Sequence, residues 1–426
     1  MARRYRLTPW ERYMALDHGP THSMTCVSRF WLSEPVGRES FIAAVQDAAR
    51  HNPFLAARRA GGAWVPEEFV PDRQIDWGDA PAPAGLEHLA PDDTLVHWTI
   101  RVGRLGDLGV AAHDLADRRG ALVVMRYSHA VADGLAAVAL MQQICRVLAG
   151  QPGSGPTSAD LETRHALAGP ATEARRRVRW ELDRIARYFA RWPAAFVPDS
   201  VPAPADGIAC ERRVATAAAT GALREAARAA GVTLNDVLLA ALFRVLQPAV
   251  DPVSVIRIAV PISMRPPGNA AFCNQVSMVF LQRVAAQAAE PGMLRGVSAE
   301  MSHVKRWRLG TAMHSFLGHG FRVGEGLLKT FMRLPVVSTT AVLSNLGDPF
   351  APCPGSGGPR VVAHDLLSPL RPGTNLAIAA VGHDGRLALT ARYAPHRVSR
   401  ERARGVLERT FAEAAALLGV SGDSAG

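Results

Sequence analysis

The sequence predicts an α/β chain, shading to α+β, folded as two lobes. Three observations carry this. Strand-like and helix-like runs alternate in both halves, the pattern of helices layered on sheets. At 426 residues the chain is too long for one ordinary core, and the size range of single domains suggests two or three. A Pro-rich break, "VPDSVPAPADG" at 197–207, divides the chain near its middle. The expected lobes are residues 1–200 and 201–426.

The elements follow in order. Residues 38–50 read as an amphipathic helix capped by Ser40, with Phe41, Val45 and Ala48 on one apolar face. Pro53 ends it, because proline cannot continue a helix and restricts Asn52 before it. Residues 121–127 read as a strand, and 134–149 as a helix stopped at Gly150. "GQPGSGPT" at 150–157 is a flexible break. A basic helix is expected at 172–191, where Val178, Leu182, Ile185 and Phe189 form an apolar stripe. Its plain reading is a surface helix packed on the core. Its functional reading is docking, at an anionic membrane surface or on an acidic carrier protein. In the second half, 219–230 and 234–246 read as helices and 253–262 as a strand. A loop "CPGSGGP", a strand pair around 375–393 turned by "HDG", and a closing helix at 398–418 complete the chain.

Composition narrows the partners. The formal net charge of +10 favours acidic ones. No run of five or more Lys/Arg and no aromatic-studded RNA-binding signature occurs, so nucleic acid is not expected. Cys26, Cys145, Cys210, Cys273 and Cys353 are far apart, and no pair has zinc or redox spacing. Reduced, structural cysteines in a cytoplasmic protein are the expectation, and a monomer is expected. The first residues lack the apolar core of a signal peptide, and no apolar run reaches the ~18 residues of a transmembrane helix.

The chemistry is concentrated in "MRYSHAVADGLAAVALMQQI", residues 125–144. A strand ends, a short turn follows, and a helix begins, which places side chains at the rim of a sheet. His129 is the one residue of the turn with a pKa near neutrality, so it suits a general base. Asp133, four residues on, is suited either to orient the imidazole or to hold the loop through a distant Arg. Gly134 permits a tight backbone turn. The plain alternative is equally open from these residues: His129 opens a helix and Asp133 is a first-turn charge favoured by the helix dipole.

"SHAVADG" resembles the HHxxxDG motif of the condensation-domain and acyltransferase superfamily. The branch it is most similar to is that of the wax ester synthase/diacylglycerol acyltransferases. The resemblance continues in "LTPWERYMALDHGPTHSM" at 7–24, "VTLNDVLLAAL" at 232–242, "VPISMRPPGNAAFCNQVSMVFLQ" at 260–282 and "LSNLGDP" at 343–349. These segments keep the family's order and span most of the chain. The Pro-Leu-Trp segment typical of wax ester synthases is represented at best by a remnant, "HWTIRV" at 97–102.

The resemblance implies two lobes of chloramphenicol-acetyltransferase-like fold with an active-site tunnel between them. His129 matches the catalytic second His of the motif. Asp133 matches a structural Asp that pairs with an Arg, and Arg265 stands where that Arg is expected. Gly134 matches the turn Gly. Asn345, with Asn274 and Ser128, is implied as a tunnel-lining or oxyanion contact. The motif's first His is Ser128 here. The implied reaction moves an acyl group from a coenzyme A or carrier-protein phosphopantetheine thioester to an alcohol acceptor, with no metal and no permanently bound cofactor. An amide-forming condensation enzyme with an amine acceptor, and a non-catalytic scaffold that binds acyl carrier protein, are the alternatives.

Other signals carry less. "GDSAG" at the end has the form of a hydrolase elbow, but no helix follows Ser424 in this sequence. "PGSGGPR" lacks the spacing of a phosphate loop. His314 and His319 have no third ligand at metal spacing and read as packed or solvated histidines.

Overall fold

The computed structural model describes residues 3–18, 23–78, 96–110, 113–153, 155–168, 190, 193, 207–332, 334, 337–350, 357–371 and 373–420. Nearly all of the basic helix expected at 172–191, most of the break at 197–207, Cys353 and Ser424 lie outside the described residues. In chain order the described strands are β1 (Tyr5–Arg6), β2 (Thr25–Leu32), β3 (Ala57–Ala60), β4 (Ala63–Pro66), β5 (Ile75–Gly78), β6 (Val96–Arg104), β7 (Arg119–Ser128), β8 (Ala209–Ala215), β9 (Val255–Ser263), β10 (Val276–Val284), β11 (Ala341–Asn345), β12 (Val361–Leu367), β13 (Leu376–His383) and β14 (Arg386–Tyr393).

The chain forms two compact units. The first comprises Met1–Ala166 with two later segments, Arg265–Gln275 and Asp348–Pro369. A single division near residue 200 therefore does not describe the chain, and Arg265 belongs with the first unit rather than with residues 201–426. Ion pairing and strand pairing draw the later segments back. Arg265 meets Asp133. β12 pairs with β2, where Arg29 donates from Nε and Nη2 to the two oxygens of Asp365 at 2.8 and 2.7 Å.

A five-stranded sheet, ordered β12-β2-β7-β6-β5, organises this first unit, with β7 at its centre. Only β5 and β6 run parallel; the other neighbours are antiparallel. Alternation along β7 sends Val123, Met125 and Tyr127 to one face, all fully buried. The helix Arg38–His51 covers that face, and its Phe41 meets Trp98 of β6 edge-on at 5.9 Å. The helix Gly134–Leu148 packs beside it. Gly37, not Ser40, occupies the cap position of Arg38–His51, and no side chain bonds there. Asn52 follows that helix in a non-helical conformation and Pro53 opens a 3-10 turn, as the proline demands.

The second unit comprises Leu167–Met264, Val276–Gly347 and Leu370–Gly426. Its six-stranded sheet runs β10-β9-β11-β13-β14-β8, with β11 parallel to both neighbours. The helix Leu234–Leu246 is its core, fully buried from Val237 to Phe243. Thr233 and Asp236 form a capping box at its start. The hairpin β13–β14 turns at Asp384 and Gly385, with φ of 47° and 77°. That left-handed pair matches strand twist and suits "DG". The helix Arg400–Leu418 closes the unit and ends on Gly419 in the left-handed region. Among the described residues no single helix is long and apolar enough to cross a membrane.

Candidate active site

β7 ends at Ser128, and its next residue already leaves the sheet. The His129 N–H donates to the Met24 carbonyl at 2.7 Å, one step beyond the Thr25–Ser128 pairing. The Ser128 carbonyl accepts from the N–H groups of Val131 and Ala132, closing the turn. Ala130, Val131 and Ala132 are fully buried, so the turn is small and dry. The helix Gly134–Leu148 begins at once, with Asp133 at its cap position. Gly134 is not among the residues of positive φ, so no left-handed strain demands a glycine there.

The shorter of two polar contacts at Nδ1 selects the tautomer of the imidazole, since Asn274 Nδ2 lies farther off at 3.5 Å. Nδ1 lies 3.1 Å from the Ala132 carbonyl oxygen. A carbonyl only accepts, so Nδ1 carries the proton and Nε2 holds the lone pair. Nε2 has no hydrogen-bond partner among the described residues. Burial pushes the imidazole below its ordinary value of 6.5, opposed by the Ala132 carbonyl and the Asp133 charge. His129 is therefore neutral at neutral pH, with a lone pair to take a proton. Asn274 holds it from behind by donating from Nδ2 to the His129 carbonyl.

Asp133 holds the turn rather than the imidazole. Its Oδ1 accepts from the Ala136 N–H at 2.8 Å and its Oδ2 from the Gln275 N–H at 2.7 Å. Arg265 donates from Nη2 to both oxygens at 3.2 and 3.0 Å. None of these partners is His129. Of the two roles the sequence offers Asp133, the geometry carries the pairing with the distant Arg and not the orienting of the imidazole, and Asp133 sits at the helix cap rather than in its first turn. The same guanidinium organises its own loop, donating from Nη1 to the Ala271 carbonyl and from Nη2 to the Cys273 carbonyl, both at 2.8 Å.

The remaining expected residues divide. Ser128 accepts at Oγ from the Ala130 N–H at 3.3 Å, a turn-stabilising bond. Asn345 ends β11 in the second unit, and its Oδ1 accepts from the Gly347 N–H at 2.9 Å, where φ is 69°. Burial pushes the Cys273 and Cys145 thiols up to about 12, which suits packing and not nucleophilic attack. His314 is a packed histidine, bonded through Nε2 to the Val276 carbonyl at 3.2 Å.

Three supports escape a local reading of the sequence. Asn52 donates from Nδ2 to Ala48 O and Gln143 Oε1 and accepts at Oδ1 from the Phe272 N–H. It thus ties two helices to the Arg265 loop. Gln275 donates from Nε2 to Thr163 Oγ1 at 2.7 Å. Arg164 and Glu11, both fully buried, pair at 3.0 Å, and burial raises the Glu11 carboxyl. Glu11 lies in a segment that carries the family resemblance, which was the available signal for it.

No family model matches the chain, and no curated protein matches it by sequence. Its backbone does match solved structures. The trichothecene 15-O-acetyltransferase of Fusarium sporotrichioides superposes with a TM-score of 0.68 at 11% identity, over 97% of this chain and 95% of that one. The first condensation domain of the calcium-dependent antibiotic synthetase gives 0.70 at 16% identity, over 100% of this chain and 97% of that one. The epimerization domain from the third module of tyrocidine synthetase B gives 0.63 at 14% identity, over 98% of each. The chain has the condensation-domain, chloramphenicol-acetyltransferase-like fold. At such identities the condensation-domain fold is shared, and residue roles rest on this chain's own geometry.

Proposed function

We propose that this protein is an acyltransferase in which His129 is the general base. The observation that carries the reading is the tautomer: Nδ1–H donating to the Ala132 carbonyl, and Nε2 without a partner among the described residues. In the proposed reaction Nε2 takes the proton of an acceptor hydroxyl as its oxygen attacks a thioester carbonyl. The tetrahedral intermediate collapses, the carbon–sulfur bond breaks, and the imidazolium returns its proton to the leaving thiolate. The products are an ester and a free thiol. Alcohols ionise far above neutrality, so a positioned base supplies much of the rate. The oxyanion donors are proposed among main-chain N–H groups near Gly134. Ala136 is not one of them, because its N–H donates to Asp133.

The donor is proposed to be a coenzyme A or carrier-protein phosphopantetheine thioester, bound as a co-substrate. Ester formation is supported by the O-acetyltransferase among the structural neighbours. The condensation-domain neighbour supports an amine acceptor as the second reading. The test is free-thiol release from acyl-coenzyme A and acyl-phosphopantetheine thioesters, with panels of alcohols and amines. Acceptor-dependent release with alcohols is expected. Release with amines alone makes it an amide synthetase, and no release with any acceptor makes it a binding protein.

A further inference from the structure

Of the seven large hydrophobic residues exposed among the described residues, five lie within one stretch: Trp307, Phe316, Val323, Leu327 and Leu334. Val323 and Leu327 are 74% and 64% exposed, flanking Gly324 at the apex of two short helices. Scattered exposed apolar residues need no explanation, whereas a concentration of this kind does.

The same stretch is basic. Residues 305–333 carry six Lys or Arg against one Glu, half of the formal +10 of the whole chain. Both lysines of the chain, Lys305 and Lys329, are among them. Among the described residues, Lys305, Arg306, Arg308, Arg322 and Lys329 form no ion pair. Charge of one sign and exposed apolar side chains concentrated in one stretch suit a counter-charged, apolar partner.

Geometry holds this surface outward. The helix Gly310–Val323 is fixed on β10 by its inner face: Ser277 Oγ donates to the Gly310 carbonyl and His314 bonds the Val276 carbonyl. Phe316 and Val323 are two turns apart and share the opposite face. The helix Glu325–Met332 folds back against it, with the Phe316 and Phe331 rings 6.0 Å apart. A Cβ at Gly320 would stand 2.9 Å from the Leu328 side chain, so glycine allows this close approach. The packing consumes Leu317 and Leu328 and leaves Val323 and Leu327 projecting.

We infer that this helical pair, with the basic turn before it, docks on an anionic membrane surface. The apolar apex enters the headgroup region while the Lys and Arg side chains engage lipid phosphates. An acidic protein would answer the charge. The protruding Val323–Leu327 apex favours a deformable apolar phase over a rigid protein face.

The test uses the full chain and two sets of vesicles, pure phosphatidylcholine and equal parts phosphatidylcholine and phosphatidylglycerol. Sedimentation is expected to show binding at least about tenfold stronger to the anionic set, weakening as salt rises from about 0.1 M to about 0.5 M. The double substitution Val323→Ser with Leu327→Ser is expected to weaken it about tenfold. Because the chain has two lysines, acylation by an amine-reactive ester reads the surface directly, and anionic vesicles should protect Lys305 and Lys329. The inference is overturned if anionic vesicles are not bound, if the double variant binds as well as wild type, or if neither lysine is protected. It is equally overturned if an acidic carrier protein, and not the vesicles, gives the protection.

Discussion

Arg265 reaches Asp133 across 132 residues of sequence and donates from Nη2 to both its carboxylate oxygens, at 3.0 and 3.2 Å. Each side chain is only 9% exposed. The carboxylate also receives the N–H groups of Ala136 and Gln275, so one group joins the His129 turn, its helix and the Arg265 loop. Asp133→Ala leaves a buried guanidinium without its counter-charge. We expect a loss of about 3–5 kcal/mol of unfolding free energy, with activity falling alongside. Asp133→Asn keeps an acceptor for the helix start and should lose less. Denaturant unfolding of the three proteins checks this, and unchanged stability in Asp133→Ala would refute the bracing role.

Asn52 is a second brace, 1% exposed, and its three hydrogen bonds reach Ala48, Gln143 and Phe272. Asn52→Ala strands a buried N–H and a side-chain carbonyl at once. A cost of about 2 kcal/mol or more is expected, at the upper range for unsatisfied buried groups. Equilibrium unfolding measures it, and a cost near zero would show that water replaces the side chain there.

The strand, turn and helix around His129 were legible because their signals are local: an apolar run, small residues, and a carboxylate at a helix start. The hairpin "HDG" was legible for the same reason, since Asp384 and Gly385 suit a left-handed pair. The Asp133–Arg265 pair came from the family resemblance alone, as no local pattern selects a partner 132 residues away. Asn52, Gln275 and the Glu11–Arg164 pair stayed hidden for that reason. Ser40 qualifies as a cap by sequence, as any serine near a helix start does, while the backbone places Gly37 there. A Pro-rich break marks a linker and says nothing of the later segments, Arg265–Gln275 and Asp348–Pro369, that return to the first unit.

Ser128 makes one weak side-chain bond, to the Ala130 N–H at 3.3 Å. Ser128→Ala should cost about 1 kcal/mol or less and change turnover by only a small factor. A stable acyl adduct seen by mass spectrometry on wild type, and absent from Ser128→Ala, would instead make this serine a nucleophile.

Acid should weaken the fold through His314. Burial lowers its pKa from 6.5 to about 4, so the folded protein keeps it neutral while the unfolded chain takes up a proton. Unfolding then binds protons between those values, and stability falls as pH drops through that window. The full effect is roughly 3 kcal/mol, present above pH 6.5 and lost by about pH 4. In His314→Gln this contribution to the pH slope should disappear. An identical slope in wild type and variant would assign the acid sensitivity elsewhere.

The central claim is that Nε2 of His129 takes the acceptor's proton. Its depressed pKa means that acceptor-dependent turnover should rise with pH to a plateau, with its inflection below the ordinary imidazole value of 6.5, because only the neutral imidazole accepts. The most direct measurement is the rate of acceptor-dependent thiol release by wild type and His129→Ala, with unfolding curves recorded on the same samples. We expect the variant to fold normally and to lose at least ~10²-fold in turnover, the usual scale for a missing general base. A folded His129→Ala protein that turns over at close to the wild-type rate would contradict the account.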